Sequence, residues 1–311
     1  MARFDPIRSA YFPFQNAEIR DFFVIFQPGK VASKSIEKSI NDLDGCQASQ
    51  AHFLGEASLT WMVSEILSTG QNPHLKLHKE GQLIKNLRTQ YLINLFEAGQ
   101  APAGRRLRIV IVLRDSLSFA RSAFTQQFPA WQGFVERLRG PVTDRTIAAF
   151  VQDLTTCMEA FFATGGKPDF AAFRDWFEAR EAGRPADIRR SLLEIYSLFF
   201  RNEGWKARQV FGNFKIAGSA FEPVGSGAET YLLADIGWTR LAVFDFHSIG
   251  TALKAYLSAE LGDAFDAAGF ELARENLTED KPFNAEITAA FAAARTAERL
   301  APLTASPLQA F

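Results

Sequence analysis

Cysteine is scarce in this sequence, and its scarcity excludes two kinds of structure. The 311 residues include only Cys46 and Cys157, which lie far apart. Two distant cysteines cannot form the disulfide framework of a small secreted domain, and no Cys-x-x-Cys or Cys/His cluster typical of zinc sites occurs. We therefore expect a protein of a reducing compartment, the cytoplasm, and no metal site.

A surplus of one charge and a long apolar segment are also missing. Lysine and arginine number 34 against 35 aspartates and glutamates, for a net charge of −1. Bulk charge therefore does not predict binding to nucleic acid. No uninterrupted apolar run reaches the ~18 residues of a transmembrane helix, and the first residues contain no apolar signal core. The composition, 47% apolar and 22% charged, is that of an ordinary globular protein.

Two buried strands organise the predicted fold. Residues 22–26 and 107–113 are almost continuous apolar, β-branched and aromatic runs, a pattern typical of strands buried on both faces. Each run ends in a polar turn that leads into a helical pattern. This alternation predicts an α/β fold in three layers, with a mostly parallel central sheet flanked by helices. Further strands are predicted at 51–54, 213–216, 231–233 and 241–244, and helices at 56–68, 81–98, 117–124, 249–261 and 285–300.

The turn after the first strand has the features of an anion site. A loop between a buried strand and a helix presents unpaired backbone N–H groups and the positive end of the helix dipole. Gly29 allows a bend or a close approach to a ligand, Lys30 adds a positive charge, and Ser33 and Ser35 add hydroxyl groups. The alternative is an ordinary turn with Lys30 in solvent.

A nucleotide-binding P-loop does not fit this turn. Such a loop reads Gly-x-x-x-x-Gly-Lys-Ser/Thr. Lys34 and Ser35 supply the final pair, but Ser33 replaces the preceding glycine and Pro28 stands where the first glycine should be.

The loop resembles the 5′-phosphosulfate loop of sulfotransferases that use 3′-phosphoadenosine 5′-phosphosulfate (PAPS). That loop reads Pro-Lys-x-Gly-Thr-Thr in cytosolic members and Pro-Lys-Val-Ala-Cys in several carbohydrate sulfotransferases. The resemblance implies a P-loop NTPase-like sulfotransferase fold, with Lys30 as the catalytic lysine. It implies that the nucleotide is bound by the segment Gly29-Lys30-Val31-Ala32-Ser33-Lys34-Ser35. Gly29 in place of proline and Lys34 in place of a small hydroxyl residue depart from the family.

A second segment resembles the 3′-phosphate anchor of the same family, which is an arginine at a strand end and a serine eight residues later. Arg114 follows the strongest predicted strand, and Ser122 has that spacing. An arginine can donate two parallel charge-assisted hydrogen bonds to a phosphate, and the serine can donate a third. Asp115 would cap the helix or orient Arg114. The alternative is a strand-end ion pair and a surface serine.

The pattern Gln-x-Gly-Lys-Val-x-Ser-x-Ser at residues 27–35 is similar to the opening of bacterial proteins grouped under capsular polysaccharide synthesis, which are themselves sulfotransferase-like. Residues 202–212 and 276–283 resemble later segments of those proteins more loosely. The implied function is transfer of a sulfuryl group from PAPS to a hydroxyl of a glycan or another small molecule.

Such a transfer needs a base for the proton of the acceptor. His52, on or after the second short strand, resembles the catalytic histidine of some heparan-type sulfotransferases and is our candidate. The alternative is a core histidine with satisfied hydrogen bonds. Glu56, four residues later, is the second candidate for the base.

The remaining interpretations concern function and domain organisation. A P-loop kinase-like phosphotransferase would need Mg²⁺ and an acidic ligand, for which Asp245 is the candidate. A catalytically degenerate sulfotransferase-like protein of polysaccharide synthesis is a third possibility. Residues 130–208 read as a mainly helical insertion, punctuated by glycine and proline, that shapes the acceptor side of a single domain, 1–311.

Overall fold

A computed structural model describes residues 14, 16–29, 33–68, 73–273, 281, 283–295 and 297–311. Within this part of the chain, no helix is long and apolar enough to cross a membrane.

The elements alternate between strands and helices at the beginning of the chain and are helical in its middle. They are β1 (Asp21–Phe26), α1 (Ser33–Asn41), β2 (Cys46–Ala51), α2 (Glu56–Ser68), α3 (Pro73–Glu97), β3 (Arg106–Leu113), α4 (Ser116–Arg139), α5 (Asp144–Ala163), α6 (Phe170–Arg180), α7 (Ala186–Tyr196), α8 (Arg201–Trp205), β4 (Glu222–Val224), β5 (Tyr231–Asp235), β6 (Arg240–Asp245), α9 (Ile249–Leu261), α10 (Asn284–Ala294) and α11 (Ala301–Thr304).

The described chain forms two compact units. Among the described residues, one unit consists of those within 1–113 and 209–275 together with residue 311, and the other of those within 114–208 and 276–310. The first unit contains the sheet. Residues 114–208, all of which the structure describes, are helices and turns without a strand. That residues 1–311 form a single domain stays a prediction.

The sheet has six strands in the order β2-β1-β3-β6-β5-β4. Strand β1 pairs in parallel with β2 and β3, so that Phe26 lies opposite both Ala51 and Ile111. Strand β6 is parallel to β3, while β5 and β4 complete the sheet in antiparallel pairing. The sheet is therefore mixed and mostly parallel, as the two buried apolar runs predict.

Helices cover both faces of this sheet. On one face, Phe23 and Ile25 pack in a core with Ile36 of α1 and Tyr256 of α9. On the other face, the ring of Phe22 lies 6.0 Å from that of Phe96 in α3. Strand β1 is fully buried because alternate side chains point into these two layers.

An ion-pair network lies near the amino ends of the central strands. Arg108 is buried, with its Nη1 2.5 Å from Asp21 Oδ1 and its Nε 2.6 Å from Glu260 Oε2. Burial alone would lower the pKa of Arg108, but the hydrogen bonds to Glu260 and Asp21 raise it. The guanidinium thus stays charged and ties two strands to α9.

The predictions of strands at residues 51–54 and 213–216 were wrong. The second strand is Cys46–Ala51, not residues 51–54. Its small and polar residues form a strand because they pair with β1, and because Asn41 exchanges hydrogen bonds with the backbone of Ala48. Residues 213–216, also predicted as a strand, instead complete a helical segment.

The helical unit is held by aromatic packing. Its core contains Phe124, Phe150, Phe173 and Phe291, contributed by α4, α5, α6 and α10. Residues 130–208, predicted as a mainly helical insertion, lie in this unit and supply most of it.

Candidate functional site

The turn after β1 begins with a buried glutamine that shapes the backbone. Gln27 is fully buried, and its backbone N–H donates to the carbonyl of Ala51, 3.2 Å away. Its side-chain Oε1 accepts a hydrogen bond from the N–H of Gly29. Gly29 has φ +97°, a conformation that favours glycine. The bend expected at Gly29 is therefore present, and the side chain of Gln27 holds it.

The loop continues through Lys30, Val31 and Ala32, which lie outside the described residues. Helix α1 then begins at Ser33, with no acidic side chain in its first turn. A helix start without local negative charge suits an anion, because the first N–H groups and the positive dipole end are not neutralised.

The hydroxyl side chains and the lysine in the first turn of α1 differ in their exposure to solvent. Ser35 is buried and Ser33 half-buried, whereas Lys34 is exposed. Burial raises the pKa of Glu37, and Lys85, the backbone N–H of Gln50 and Lys34 oppose that rise. The charge of Lys34, which the resemblance places in the nucleotide-binding segment, thus acts on the carboxylate of Glu37 one turn later.

The side chain of His52 contacts Gln27, the first residue of the loop. It follows β2 and is half-buried. Its Nδ1 lies 3.0 Å from the carbonyl oxygen and 2.9 Å from the side-chain Nε2 of Gln27. Nδ1 can either donate to the carbonyl or accept from the amide. In the first case Nε2 is the nitrogen that takes up a proton, as a general base must.

Side-chain amides hold the backbone that carries His52. The N–H groups of His52, Leu54 and Gly55 donate to side-chain oxygens, and the carbonyl of Leu54 accepts from a fourth amide. The partners are Asn86 (3.0 Å), Gln209 (2.8 Å), Gln90 (2.7 Å) and Asn213 (3.0 Å). These four positions were missed, because nothing in their local sequence marks them. Glu56, the second candidate for the base, lies exposed at the start of α2.

The turn after β3 leads directly into α4. Arg114 is buried, and its backbone carbonyl accepts a hydrogen bond from Asn202 Nδ2. Asp115 caps the helix by accepting from the N–H of Ser118 at 2.8 Å, as the sequence suggested. Ser122 is half-buried one helical turn after Ser118, on the same face of α4.

Arg295 brings another guanidinium to the start of α4. Its Nη1 donates to Ser118 Oγ at 2.6 Å, and both terminal nitrogens lie 3.4 Å from Asp115 Oδ2. The sequence gives no signal for this residue, which is 180 positions from Asp115. Its charge offsets that of the capping carboxylate, so the helix start stays favourable for an anion.

Strands β1 and β3 end at the same edge of the sheet. Strands β1 and β3 are neighbours and run parallel, so their carboxyl ends, where Gln27 and Arg114 follow, lie at the same edge. Ligands of parallel α/β sheets bind at that edge.

Asp245, the candidate metal ligand of the kinase interpretation, ends β6. Its Oδ1 accepts from the backbone N–H of His247 at 2.9 Å. Among the described residues, no group of three or more His, Cys, Asp or Glu side chains is arranged to hold a metal ion.

Comparisons with family models, curated proteins and solved structures found no match.

Proposed function

We propose that this protein is a sulfotransferase that transfers the sulfuryl group of PAPS to a hydroxyl of a glycan or another small molecule. The main support is that two neighbouring parallel strands each lead through a polar turn into a helix start. One turn bends at Gly29, and the other carries Arg114. The proposal includes a P-loop NTPase-like fold and a cytoplasmic location.

The first turn would bind the 5′-phosphosulfate group. Its ligands would be the N–H groups and side chains from Gly29 to Ser35. In this proposal the ammonium group of Lys30 stabilises the negative charge that develops on the departing phosphate.

The second turn would bind the 3′-phosphate. Arg114 would donate two parallel hydrogen bonds to it, and Ser122 a third. Asp115 is engaged by the N–H of Ser118 and by Arg295, so its carboxylate is compensated and does not oppose the anion.

In the transfer step, the hydroxyl oxygen of the acceptor attacks the sulfur as the bond from sulfur to the bridging phosphate oxygen breaks. The products are the sulfate ester and adenosine 3′,5′-bisphosphate. The proton of the hydroxyl passes to His52, whose Nδ1 is held at Gln27 so that Nε2 can accept it. Most of the rate enhancement in such a reaction comes from positioning and electrostatic stabilisation, as in phosphoryl transfer.

Two substitutions separate these roles. Lys30→Ala should abolish sulfate transfer and weaken nucleotide binding, whereas His52→Ala should lower turnover roughly 100-fold or more and leave binding intact. His74→Ala, at the start of α3 and twelve residues before Asn86, is the matched control and should keep wild-type turnover. Wild-type turnover in Lys30→Ala would contradict the mechanism.

Nucleotide binding and sulfate transfer, measured separately, distinguish the alternative functions. A kinase-like phosphotransferase would require Mg²⁺ to bind its nucleotide productively, so binding of adenosine 3′,5′-bisphosphate in the presence of a chelator counts against it. A degenerate scaffold would bind the nucleotide but transfer no labelled sulfate from PAPS to a panel of hydroxylated acceptors.

A further inference from the structure

Helix α8 contributes a buried asparagine to the turn after β3. Asn202 is 3% exposed, and its Nδ2 donates a hydrogen bond to the backbone carbonyl of Arg114, 88 residues earlier. Its Oδ1 accepts no hydrogen bond from the described residues. Within this part of the chain, the contact with Arg114 is therefore the one hydrogen bond that the side chain of Asn202 makes.

The carbonyl of Arg114 lies outside both the strand and the helix. The pairing of β3 with β6 ends at Leu113, and the first helical hydrogen bond of α4 runs from the N–H of Phe119 to the carbonyl of Asp115. Arg114 stands between these two points and is buried. A buried carbonyl needs a donor, and a side chain from a distant helix supplies one here.

This hydrogen bond fixes the peptide plane that joins Arg114 to Asp115. The chain before the plane belongs to β3, and Asp115 after it is held by the N–H of Ser118 at 2.8 Å. Rotation of the plane changes ψ of Arg114 and φ of Asp115 together, and so shifts the direction in which the Arg114 side chain leaves the backbone. Asn202 opposes that rotation.

The direction of the side chain matters for the role proposed for Arg114. Two parallel hydrogen bonds to a phosphate require the flat guanidinium to line up with two phosphate oxygens. Groups in a binding site must be held within about 0.5 Å of the productive geometry by their surroundings. A contact that fixes the backbone of Arg114 therefore controls how well its guanidinium is preorganised.

We infer that Asn202 is a positioning residue for the 3′-phosphate. By holding the carbonyl of Arg114, it sets the preference of the protein for a nucleotide with a 3′-phosphate over one without it. The inference rests on the proposed function. Asn202 acts through Arg114, since its own amide is buried and engaged with the backbone.

Calorimetry of the full chain with two nucleotides tests this role. The wild type should bind adenosine 3′,5′-bisphosphate more tightly than adenosine 5′-monophosphate. Asn202→Ala should weaken binding of the bisphosphate roughly 10-fold and leave that of the monophosphate unchanged, because only the 3′-phosphate contacts Arg114. Asn202→Leu, which fills the space of the amide without a donor, should give the same result. An unchanged preference in either variant, or an equal loss for both nucleotides, would overturn the inference.

A double-mutant cycle tests whether Asn202 acts through Arg114. In the Arg114→Ala background, Asn202→Ala should not weaken binding of the bisphosphate further. An undiminished further loss would mean that Asn202 acts independently of Arg114, and it would overturn the positioning role.

Leu192→Ala separates positioning from stability. Leu192 is buried on α7 in the core of the same helical unit, so its truncation should lower the urea concentration of half-unfolding and keep the wild-type preference for the 3′-phosphate. A loss of preference equal to that of Asn202→Ala would overturn the inference. A wild type that binds both nucleotides equally, or neither, would instead contradict the proposed function, and the inference with it.

Discussion

Replacing Gly55 by alanine should destabilise the protein far more than replacing Gly104. The two glycines have nearly the same backbone conformation, with φ +82° and +79°. They differ in surroundings. A Cβ at Gly104 meets nothing within 4 Å, whereas a Cβ at Gly55 would collide with Oδ1 of Asn213.

The magnitude follows from what holds Asn213 in place. A left-handed backbone costs an L-residue about 1–2 kcal/mol, and both variants incur that cost. To admit the Gly55→Ala side chain, Asn213 must move and lose its hydrogen bonds to the carbonyl of Leu54 (3.0 Å) and to Gln209 Oε1 (3.1 Å). At about 1 kcal/mol each, these losses make Gly55→Ala about 2 kcal/mol more costly than Gly104→Ala.

Urea unfolding, followed by tryptophan fluorescence, measures the free energy of unfolding of both variants. A double-mutant cycle isolates the collision: in an Asn213→Ala background, Gly55→Ala should cost only the backbone term of about 1–2 kcal/mol. Equal destabilisation by Gly55→Ala and Gly104→Ala, or an undiminished effect in the Asn213→Ala background, would refute the reasoning.

Three further predictions concern buried ionisable groups. Arg108→Met should cost about 1.5–3 kcal/mol, because the buried carboxylates of Asp21 and Glu260 lose their shared partner and keep only the more exposed Arg106 and Arg240; urea unfolding measures this, and a loss below about 0.5 kcal/mol would contradict it. Burial raises the pKa of Glu37, so the folded state binds the proton more tightly, and stability falls as pH rises from the ordinary pKa through the raised one. Glu37→Gln should abolish that fall, and stability curves that stay parallel to the wild type across this pH range would disprove it. Burial, followed by the charge of Asp21, raises the pKa of the Cys46 thiol to about 11. At about pH 8, alkylation of Cys46 should therefore be roughly 100-fold slower in the folded protein than in urea, and equal rates would count against this.

The sequence predicted those parts of the fold that local patterns determine. Residues 22–26 and 107–113 were recognised as strands because a continuous apolar run is needed wherever both faces of a sheet are covered. The cap at Asp115 was expected from its position at a helix start. Strand β2 was misplaced, because Cys46–Ala51 is small and polar and becomes a strand through pairing with β1.

The surroundings of the candidate site could not be predicted, since they depend on contacts between distant parts of the chain. Arg295, the residue that follows α10, reaches Ser118. Asn86 and Gln209 hold the backbone beside His52 from 34 and 155 residues away. Single polar residues in helices have no periodicity that reveals a tertiary partner.

The central claim is that this protein binds a bisphosphorylated nucleotide through both turns, and calorimetry with adenosine 3′,5′-bisphosphate tests it most directly. Arg114→Ala should lose the charge-assisted hydrogen bonds to the 3′-phosphate, worth about 1.5–3 kcal/mol, and so weaken binding roughly 10- to 100-fold. Arg137→Ala, at the exposed end of the same helix, is the control and should bind like the wild type. Unchanged affinity in Arg114→Ala, or no binding by the wild type, would contradict the claim.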